Sequence, residues 1–518
     1  MVSFTIERGE STISIVSTMI KKYPDLVNIV LSFLEIRRII TNIDPLRRQS
    51  AISGSVTLII TIFGFFSTIY FAHSVGASVL GLYFLFIAYF TLFTLIGDAG
   101  FTGAVIKRIS EGKDYHEFLS AFLVIRIVLL FMSLILLVAV YPYLTNFQGQ
   151  DILLLTAIAL IFGMFSDWAI VGVYGLGKIG FSQMSILLNT VIRLVLQIIA
   201  IFLGMGIFGL LGGFILGTIS GTVLNLYFLE FRFARFTVNH LRSLSTYAIW
   251  SFFSSAGLLI FSYADTILIG LFLNTAEVGI YRTSLNLTAL PTSAVLAFQF
   301  VLFPKISNWW TNGNLGSIQS SVRTSIYYSL ALAIPSCVGG WILGDTLLYF
   351  LYGSSFSSGY VTLSILLFVQ IINVFMVLFT MTLNALNHPH EVFRVTLISA
   401  SITIILDLLL IPVIGINGAA VAVLCSFFVN AFLMKYMISK IIPIPLNLNA
   451  LDKILVASAC MAGFLLVYRY LVPMNTVFLA IMAVLLGCLV YGLILLRLDK
   501  SIYLEIKKLL EECGIYPA

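Results

Sequence analysis

Long apolar stretches alternate with short polar stretches along most of the chain. A helix needs about 20 mainly apolar residues to cross the hydrocarbon core of a bilayer, and these stretches predict about 14 transmembrane helices. The predicted spans lie at about 51–73, 78–97, 119–144, 150–175, 182–204, 206–228, 244–270, 277–304, 324–347, 360–385, 392–411, 415–438, 451–472 and 475–497.

The composition excludes a soluble protein. Asp, Glu, Lys and Arg make up 10% of the 518 residues and hydrophobic residues make up 60%, whereas an ordinary soluble protein has roughly 25% charged residues. So few charges cannot cover the surface of a cytosolic enzyme, and a disordered chain needs low hydrophobicity and high net charge. The five cysteines are dispersed, so the sequence indicates neither a disulfide framework nor a metal site, and we expect no cofactor.

The basic residues predict how the chain crosses the membrane. Lys and Arg recur on every second connecting segment, for example at Lys107, Arg108, Arg232, Arg235 and Lys440. The short segments between these, up to residue 417, contain none. Basic residues mark cytoplasmic loops, so the net charge of +6 reports topology and not a nucleic-acid partner. We expect a plasma (inner) membrane protein with both termini in the cytoplasm.

An internal repeat predicts the architecture. The segment that begins with GLY at 81–83 and ends with KRIS at 107–110 recurs as GIY at 279–281 and PKIS at 304–307. The repeat unit contains six predicted helices, and an even number gives both copies the same orientation. A pseudo-two-fold axis along the membrane normal, with a binding site between the copies, is typical of transporters.

The predicted fold is an all-α polytopic membrane protein of two pseudo-symmetric six-helix lobes and a C-terminal helix pair. The expected segments are a cytoplasmic N-terminal segment at 1–50 with a candidate interfacial helix, an N-lobe at 51–229, a basic linker at 230–243, a C-lobe at 244–440, the extra helices at 451–497 and a cytoplasmic tail at 498–518.

Three stretches, at 75–110, 263–287 and 385–423, carry a resemblance to a known family. The chain resembles the Wzx-type polysaccharide flippases of the multidrug/oligosaccharidyl-lipid/polysaccharide exporter superfamily. The resemblance implies alternating-access transport of a lipid-diphosphate-linked oligosaccharide from the cytoplasmic to the outer leaflet, for cell-surface polysaccharide assembly. It implies a polyprenyl-linked glycan and the bilayer as partners, with other polysaccharide-assembly proteins as further candidates.

One polar stripe lies inside the fifth predicted span. Ser185, Asn189, Arg193 and Gln197 recur every four residues and so share one helix face. Arg193 lies about 16 Å from the start of its span at 1.5 Å per residue, and a charge at that depth normally faces a cavity or a partner. We expect the stripe to line the central cavity, where Arg193 would bind the phosphate of the cargo in two places. The alternative is a structural ion pair between Arg193 and Asp98 or Asp167.

Arg126 is a further cavity candidate, although it lies only one to two turns from the cytoplasm. The sequence favours a side chain that reaches, or snorkels, to the membrane surface for Arg126 and for its repeat counterpart Arg323. Asp98 and Asp167 lie toward the same side and are candidates for an inner gate.

Three charged residues near the outer ends of their spans are gating or ion-coupling candidates: Asp265, Arg282 and Asp407. An Asp265–Arg282 pair is expected, either as a lock that breaks when the lobes move or as a static bridge. Any of the four aspartates could instead take up a proton or a sodium ion, and we expect transport to require a proton or sodium gradient.

Two other functions compete with the flippase. A drug–cation antiporter of the same superfamily would favour an acidic cavity, whereas Arg193 favours an anionic cargo. A membrane glycan polymerase or ligase would need catalytic groups on an outer domain, and the outer loops have about ten residues or fewer. The sequence therefore predicts a transporter and not an enzyme.

Overall fold

The computed structural model describes residues 45–499 except 113, 148–149 and 445–447. Over this part of the chain the regular structure is helical, with no strand, which confirms the all-α class. Most of the predicted N-terminal segment at 1–50 and of the tail at 498–518 lies outside the described residues. The α-helices are α1 (Pro45–Asp98), α2 (Phe101–Ser110), α3 (Tyr115–Val140), α4 (Gln150–Gly175), α5 (Ile179–Phe202), α6 (Gly206–Phe228), α7 (Val238–Phe272), α8 (Thr275–Leu287), α9 (Ala289–Thr311), α10 (Leu315–Tyr352), α11 (Tyr360–Ala385), α12 (Pro389–Ile414), α13 (Ile416–Ser439), α14 (Leu448–Leu471) and α15 (Val477–Leu498).

The first helix contains two of the predicted spans. Its 54 residues would extend about 80 Å as a straight helix, far more than the roughly 30 Å of a bilayer core. The helix is kinked at Gly76, which has φ 76° and ψ 176°. This is backbone that glycine adopts at little cost, and it separates α1a (45–75) from α1b (77–98).

Within the described residues, eleven helices are long and apolar enough to span a membrane, or twelve if the bent helix α7 counts as one span. This total counts α1 once. The predicted span at 277–304 is divided at Thr288 into α8 and α9, which are not among the eleven. A multi-span membrane protein is therefore confirmed, and the number of 14 spans stays a prediction.

The crossing of α1b and α8 has the symmetry that the repeat predicts. A Cβ atom added to Gly81 would lie 1.7 Å from the carbonyl oxygen of Thr275, and one added to Gly279 would lie 2.2 Å from that of Ala77. The same offset of 198 residues relates Ala77 to Thr275 and Gly81 to Gly279. Each helix therefore contacts the other through equivalent positions, as a pseudo-two-fold axis requires, and only glycine permits so close an approach.

Three apolar clusters hold the helices together. The first joins both halves of the chain and includes Phe86, Phe214 and Tyr281. The second lies within the second half and reaches α14 and α15. The third packs α2, α3, α4 and the start of α7 around Phe122 and Trp168. The second cluster places the extra helix pair against the second half only.

Polar contacts fix this extra pair to α10 near both of its ends. The carboxylate of Asp499, after α15, accepts a hydrogen bond from the Tyr327 hydroxyl at 2.6 Å and lies 3.3 Å from Lys453 Nζ. At the end of α14, Arg469 Nη2 lies 2.6 Å from an oxygen of Asp345 in α10. These contacts connect the pair to the second half at positions more than 100 residues away in sequence.

Candidate functional site

A cavity of about 540 Å³ lies between the two halves of the chain, with α1b, α2 and α4 on one side and α7 on the other. Hydroxyl groups are frequent in its walls, from Thr91, Thr94, Thr102, Tyr174, Ser251, Ser255, Ser262 and Tyr263. Its position between the halves is where the repeat predicted a binding site. Its size is within the range of ligand-binding sites.

Two of its lining residues, Asp98 and Asp167, share one arginine. Arg126 Nη1 donates to Asp98 Oδ1 at 3.0 Å and Arg126 Nη2 donates to Asp167 Oδ2 at 2.7 Å. Arg126 is only 1% exposed, so the prediction that it snorkels is wrong, because the two carboxylates hold its guanidinium inside the helix bundle. Arg323, by contrast, is exposed. The ion pairs with Asp98 and Asp167 that were the structural alternative for Arg193 are therefore made by Arg126.

A turn after α1b orients the first of these carboxylates. Ala99 and Gly100 both have positive φ, which reverses the chain so that α2 begins beside Asp98. Asp98 Oδ1 accepts a hydrogen bond from the backbone nitrogen of Thr102 at 3.1 Å and from the Thr102 hydroxyl at 2.6 Å. A Cβ atom on Gly100 would lie 2.2 Å from the carbonyl oxygen of Ala248. The turn therefore contacts α7, and both halves meet at this end of the cavity as well.

The remaining carboxylate oxygens make the cavity acidic. The Asp98 and Asp167 side chains are 15% and 40% exposed, and Asp98 Oδ2 and Asp167 Oδ1 have no hydrogen-bond partner among the described residues. No Lys or Arg is among the described residues that line this cavity. With both carboxylates ionised, the group of Asp98, Arg126 and Asp167 carries a net charge of −1.

The expected gates between the halves are not formed by these ion pairs. Asp98, Arg126 and Asp167 all lie in the first half, so their contacts do not lock one half to the other. Asp265 and Arg282 lie in the second half and make no ion pair with each other. The prediction of an Asp265–Arg282 ion pair is therefore wrong for this conformation, because Asp265 and Arg282 each bond other groups of the second half. A role of these residues in gating stays a prediction.

The candidates predicted near the outer ends of their spans have other partners. Asp265 is buried and accepts hydrogen bonds from the Tyr281 hydroxyl and, at 2.6 Å, from the backbone nitrogen of Thr266. Arg282 Nη1 donates to the carbonyl oxygen of Ser262 at 3.0 Å and to the Thr266 hydroxyl at 3.4 Å. Thr266 thus lies between the two charges. Tyr281 and Thr266 were missed from the sequence, although Tyr281 belongs to the repeated GIY motif.

Asp407 is the most isolated carboxylate in the described structure. It is 0% exposed, and neither of its oxygens has a hydrogen-bond partner among the described residues. It lies close enough to Asp265 for the two carboxylates to interact electrostatically. An unpaired ionised carboxylate is costly to bury, and a neutral carboxyl group costs less.

The polar stripe of α5 faces α6 instead of the cavity. The Ser185 hydroxyl donates to the carbonyl oxygen of Gly221 at 2.6 Å. Gln197 Nε2 donates to the carbonyl oxygen of Leu210 at 2.8 Å and to the Tyr83 hydroxyl at 3.0 Å. Both side chains are buried, so the prediction that they line the cavity is wrong: their polar groups are satisfied between helices that pack closely.

Asn189 and Arg193, in the middle of the stripe, are half-buried. A Cβ atom on Gly217 of α6 would lie 2.6 Å from Arg193 Cβ, so the two helices touch there. The Arg193 guanidinium lies 5.9 Å from the ring centroid of Phe214, and its buried Nε has no hydrogen-bond partner among the described residues. Arg193 does not line the 540 Å³ cavity. A contact of Arg193 or Asn189 with the cargo stays a prediction.

The opposite wall of the cavity and a second, apolar cavity were not predicted. Ser251, Ser255 and Ser262 lie on α7 at spacings of four and seven residues, which is the sequence signal for one helix face. The apolar cavity, of about 370 Å³, lies between α10, α11, α14 and α15. Its walls include Leu332, Leu367, Met461, Leu465 and several glycines. It depends on long-range packing of the extra helix pair, for which the sequence offers no signal.

Sequence comparisons match this chain to one known protein family and to two similar proteins. The profile of the family described as "Polysaccharide biosynthesis protein" matches residues 46–310. A similar protein in Haloferax volcanii, named "Probable low-salt glycan biosynthesis flippase Agl15", is 29% identical over 432 residues, covering 83% of this chain and 92% of that protein. "Probable flippase AglR" from the same organism is 27% identical over 477 residues, covering 90% and 99%.

Solved structures share the fold. The structure described as "Lipid II flippase MurJ, inward closed conformation" is similar with a TM-score of 0.73 at 18% identity, covering 87% of this chain and 98% of that one. An inward-facing multidrug resistance MATE family transporter of the MOP superfamily is similar with a TM-score of 0.59 at 12% identity, covering 76% and 97%. At these identities the likeness concerns the fold alone.

Proposed function

The chain belongs to the polysaccharide biosynthesis protein family, and from that membership we propose that it is an alternating-access flippase for a lipid-diphosphate-linked oligosaccharide. It would move this cargo from the cytoplasmic to the outer leaflet of the plasma membrane for cell-surface polysaccharide assembly, with both termini in the cytoplasm and other assembly proteins nearby. Two Haloferax relatives named as flippases, aligned along 83% and 90% of the chain, support the proposal. They support a transporter and not a polymerase or ligase.

The observation that carries the proposal is the cavity between the halves. It is lined by hydroxyl groups and carboxylates, which suit a glycan, and close contacts between the halves lie toward both of its ends. Gly81 and Gly279 meet ten residues before Thr91, the first lining residue of α1b, and Gly100 meets α7 next to Asp98. Alternating access requires that these two contacts separate in turn, so that the cavity opens to one side at a time.

Two half-buried arginines are candidates for the diphosphate. Arg282 bonds the backbone of Ser262 and lies 4.9 Å from the ring centroid of Tyr263, and both of these residues line the cavity. Its guanidinium therefore lies directly behind the part of the wall that Ser262 and Tyr263 form. Arg193 keeps the role expected from the sequence, although it lies farther from this cavity. If a phosphate reaches Arg282, Arg282→Gln abolishes flipping and Arg193→Ala has a smaller effect; the reverse order would assign the phosphate to Arg193.

The apolar cavity beside α14 and α15 suits the polyprenyl chain of the cargo. Its walls are mainly leucines, with Met461, Val484 and several glycines, and few polar atoms face it. An isoprenoid chain could therefore pack there without displacing hydrogen bonds. A cargo with a polar head and an apolar tail needs both environments in one protein. The two cavities supply them.

We propose that Asp407 and Asp265 couple transport to a proton or a sodium ion. Asp407 has no hydrogen-bond partner for either oxygen within the described structure, so a bound proton or cation would relieve its burial. Both aspartates lie in the second half, away from the acidic wall at Asp98. Imposing a pH gradient or a sodium gradient separately would identify the ion.

The test is translocation in liposomes that contain the purified protein. Lipid-linked oligosaccharide is extracted from cells that make the protein, incorporated into the liposomes, and its appearance in the opposite leaflet is measured with a membrane-impermeant glycosidase or lectin. We expect flipping under a proton or sodium gradient in liposomes that contain the protein, and none in protein-free liposomes. No flipping under either gradient would count against the proposal.

A cation antiporter is the second candidate, and one observation favours it. The described lining of the cavity contains two aspartates and neither Lys nor Arg, which would suit a cationic cargo. Uptake of tetraphenylphosphonium in the same liposomes tests this function. Gradient-driven uptake of this cation without glycan flipping would favour the antiporter.

A further inference from the structure

The geometry points to a sugar-binding wall. We infer that Asp98 and Asp167 accept hydrogen bonds from hydroxyl groups of the glycan, so that the glycan lies against α1b and α4 while the diphosphate lies at the other end of the cavity, beside Tyr263. This inference rests on the proposed flippase function and adds to it the orientation of the cargo.

Arg126 fixes the two carboxylates as a pair of acceptors. It binds one oxygen of each and is itself buried, so neither carboxylate can rotate freely. Asp98 is held further by Thr102. The second oxygen of each carboxylate has no partner among the residues that the structure describes. An ionised carboxylate only accepts hydrogen bonds, and charge-assisted bonds of this kind are the strong ones.

A sugar can satisfy both walls of the cavity. Its hydroxyl groups donate to carboxylates, and the same groups can accept from Ser251 and Ser255 on the opposite wall. A lipophilic cation such as tetraphenylphosphonium has no hydrogen-bonding groups, so it would match the negative charge of the acidic wall but would use none of the hydroxyl groups of either wall. The lining as a whole therefore fits a neutral polyol better than such a cation.

The diphosphate is excluded from the acidic wall by its charge. The positive charge of Arg126 is already matched by two carboxylates, which leaves a net negative group facing the cavity. Along α7 the lining extends from Ser251 to Tyr263, which corresponds to about 18 Å along the bent helix at 1.5 Å per residue. This length can separate the charged end of the cargo, near Arg282, from a sugar beside Asp98.

The test uses Asp98→Asn and Asp167→Asn. Asparagine keeps the shape of the side chain, and its amide oxygen can still accept from Arg126 while its NH₂ group replaces the acceptor that faces the cavity. The matched control is Asp345→Asn, which changes an aspartate that also binds an arginine, Arg469, but lies on α10 outside this cavity. Size-exclusion profiles and thermal unfolding of each variant report whether it folds, and Asp167→Glu tests rescue by a carboxylate.

The probes are prepared from lipid-linked oligosaccharides of cells that make the protein. Mild acid cleaves the sugar–phosphate bond and yields the free glycans and the polyprenyl diphosphate, and binding of each to purified protein in detergent is titrated separately. Loss of a hydrogen bond to a charged group weakens binding by about tenfold or more. We expect the two cavity variants to lose about that factor for the glycans, but less than about threefold for the polyprenyl diphosphate, and the control to bind like wild type.

Three results would overturn the inference. These are wild-type protein that binds no released glycan, variants that lose affinity for glycan and diphosphate equally, and variants whose main loss is for tetraphenylphosphonium. The proposed function is tested separately by flipping in liposomes. If the wild-type protein flips its cargo but glycan binding does not depend on the carboxylates, this inference alone is overturned. If glycan binding depends on the carboxylates but the protein does not flip, the sugar site stands and the flippase function is refuted.

Discussion

The contact between Gly81 and the backbone of α8 predicts a large effect for a single methyl group. A Cβ atom at residue 81 would lie 1.7 Å from the carbonyl oxygen of Thr275, whereas carbon and oxygen atoms approach to about 3.3 Å in close helix contacts. The clashing atom belongs to the backbone, so no side-chain rotation relieves it. Gly81→Ala therefore forces α1b and α8 apart by about 1.6 Å, the difference between these two distances.

The magnitude follows from the cost of overpacking. Inserting a methyl group into a packed contact costs about 1–3 kcal/mol, which corresponds to a roughly 5- to 150-fold change in an equilibrium between two conformations. This cost destabilises only the conformations in which the two helices touch. The equilibrium should therefore shift toward conformations in which this end of the cavity is open, and flipping should slow because the cycle needs both contacts.

A disulfide cross-link measures this shift. The Ser78 and Thr275 hydroxyl oxygens are 2.8 Å apart in the contact, so cysteines at both positions, in a background without native cysteines, should cross-link rapidly. Gly81→Ala should lower the cross-linking rate by about fivefold or more. Gly64→Ala on α1a is the matched control, because no described atom lies within 4 Å of its added Cβ. An unchanged rate in Gly81→Ala would refute the reasoning.

Three further predictions concern charged groups. Arg126→Gln leaves the two cavity carboxylates without their cation and should lower the free energy of unfolding, by about 1–3 kcal/mol given their partial exposure; denaturant unfolding in detergent micelles measures this. Asp407→Asn should abolish the effect of an ion gradient on flipping without lowering thermal stability, since a neutral amide is cheaper to bury; a gradient effect that persists would contradict the coupling role. The Lys178 ammonium, 2.7 Å away, holds the pKa of Glu230 below its usual range, so the Glu230 contribution to stability is present above about pH 4.3 and is lost as the pH falls through the lowered pKa. Glu230→Gln should flatten stability over this acidic range, and an unchanged pH profile would contradict the assignment.

Most of the spans and the approximate place of the cavity could be predicted from the sequence, because apolar length and repeated motifs can be read from the chain itself. Apolar length identifies a span, and the repeated glycines at 81 and 279 identify two equivalent helices that meet. The pairing of Arg126 could not be predicted in this way. Its partners are 28 and 41 residues away, and its distance from the end of its span said nothing about the carboxylates that neighbouring helices bring to it.

The stripe on α5 illustrates a different limit. Its spacing of four residues correctly places Ser185 and Gln197 on one face, but the spacing does not say which neighbour that face meets. The sequence of α6 indicates this neighbour, because Gly213, Gly217 and Gly221 recur there at the same spacing. Small residues at this spacing are typical of close helix contacts within membranes. Reading both helices together would have predicted that the stripe packs against α6.

The two halves differ where the repeat places equivalent tyrosines, and this difference predicts which half responds to an ion. The Tyr83 hydroxyl accepts a hydrogen bond from the neutral amide of Gln197, whereas its counterpart Tyr281 donates to the carboxylate of Asp265. Only the second arrangement can change charge when an ion binds or leaves. Asp265→Asn should therefore abolish the dependence of flipping on the ion gradient.

Gln197→Leu is the matched change in the first half. It removes two hydrogen bonds and should lower stability by about 1–3 kcal/mol, because the Tyr83 hydroxyl and the Leu210 carbonyl oxygen each lose a partner. Its residual flipping should still follow the gradient, since no charge is altered. Flipping rates measured with and without a gradient separate the two outcomes: a gradient effect that is lost in Gln197→Leu and kept in Asp265→Asn would place ion coupling in the first half.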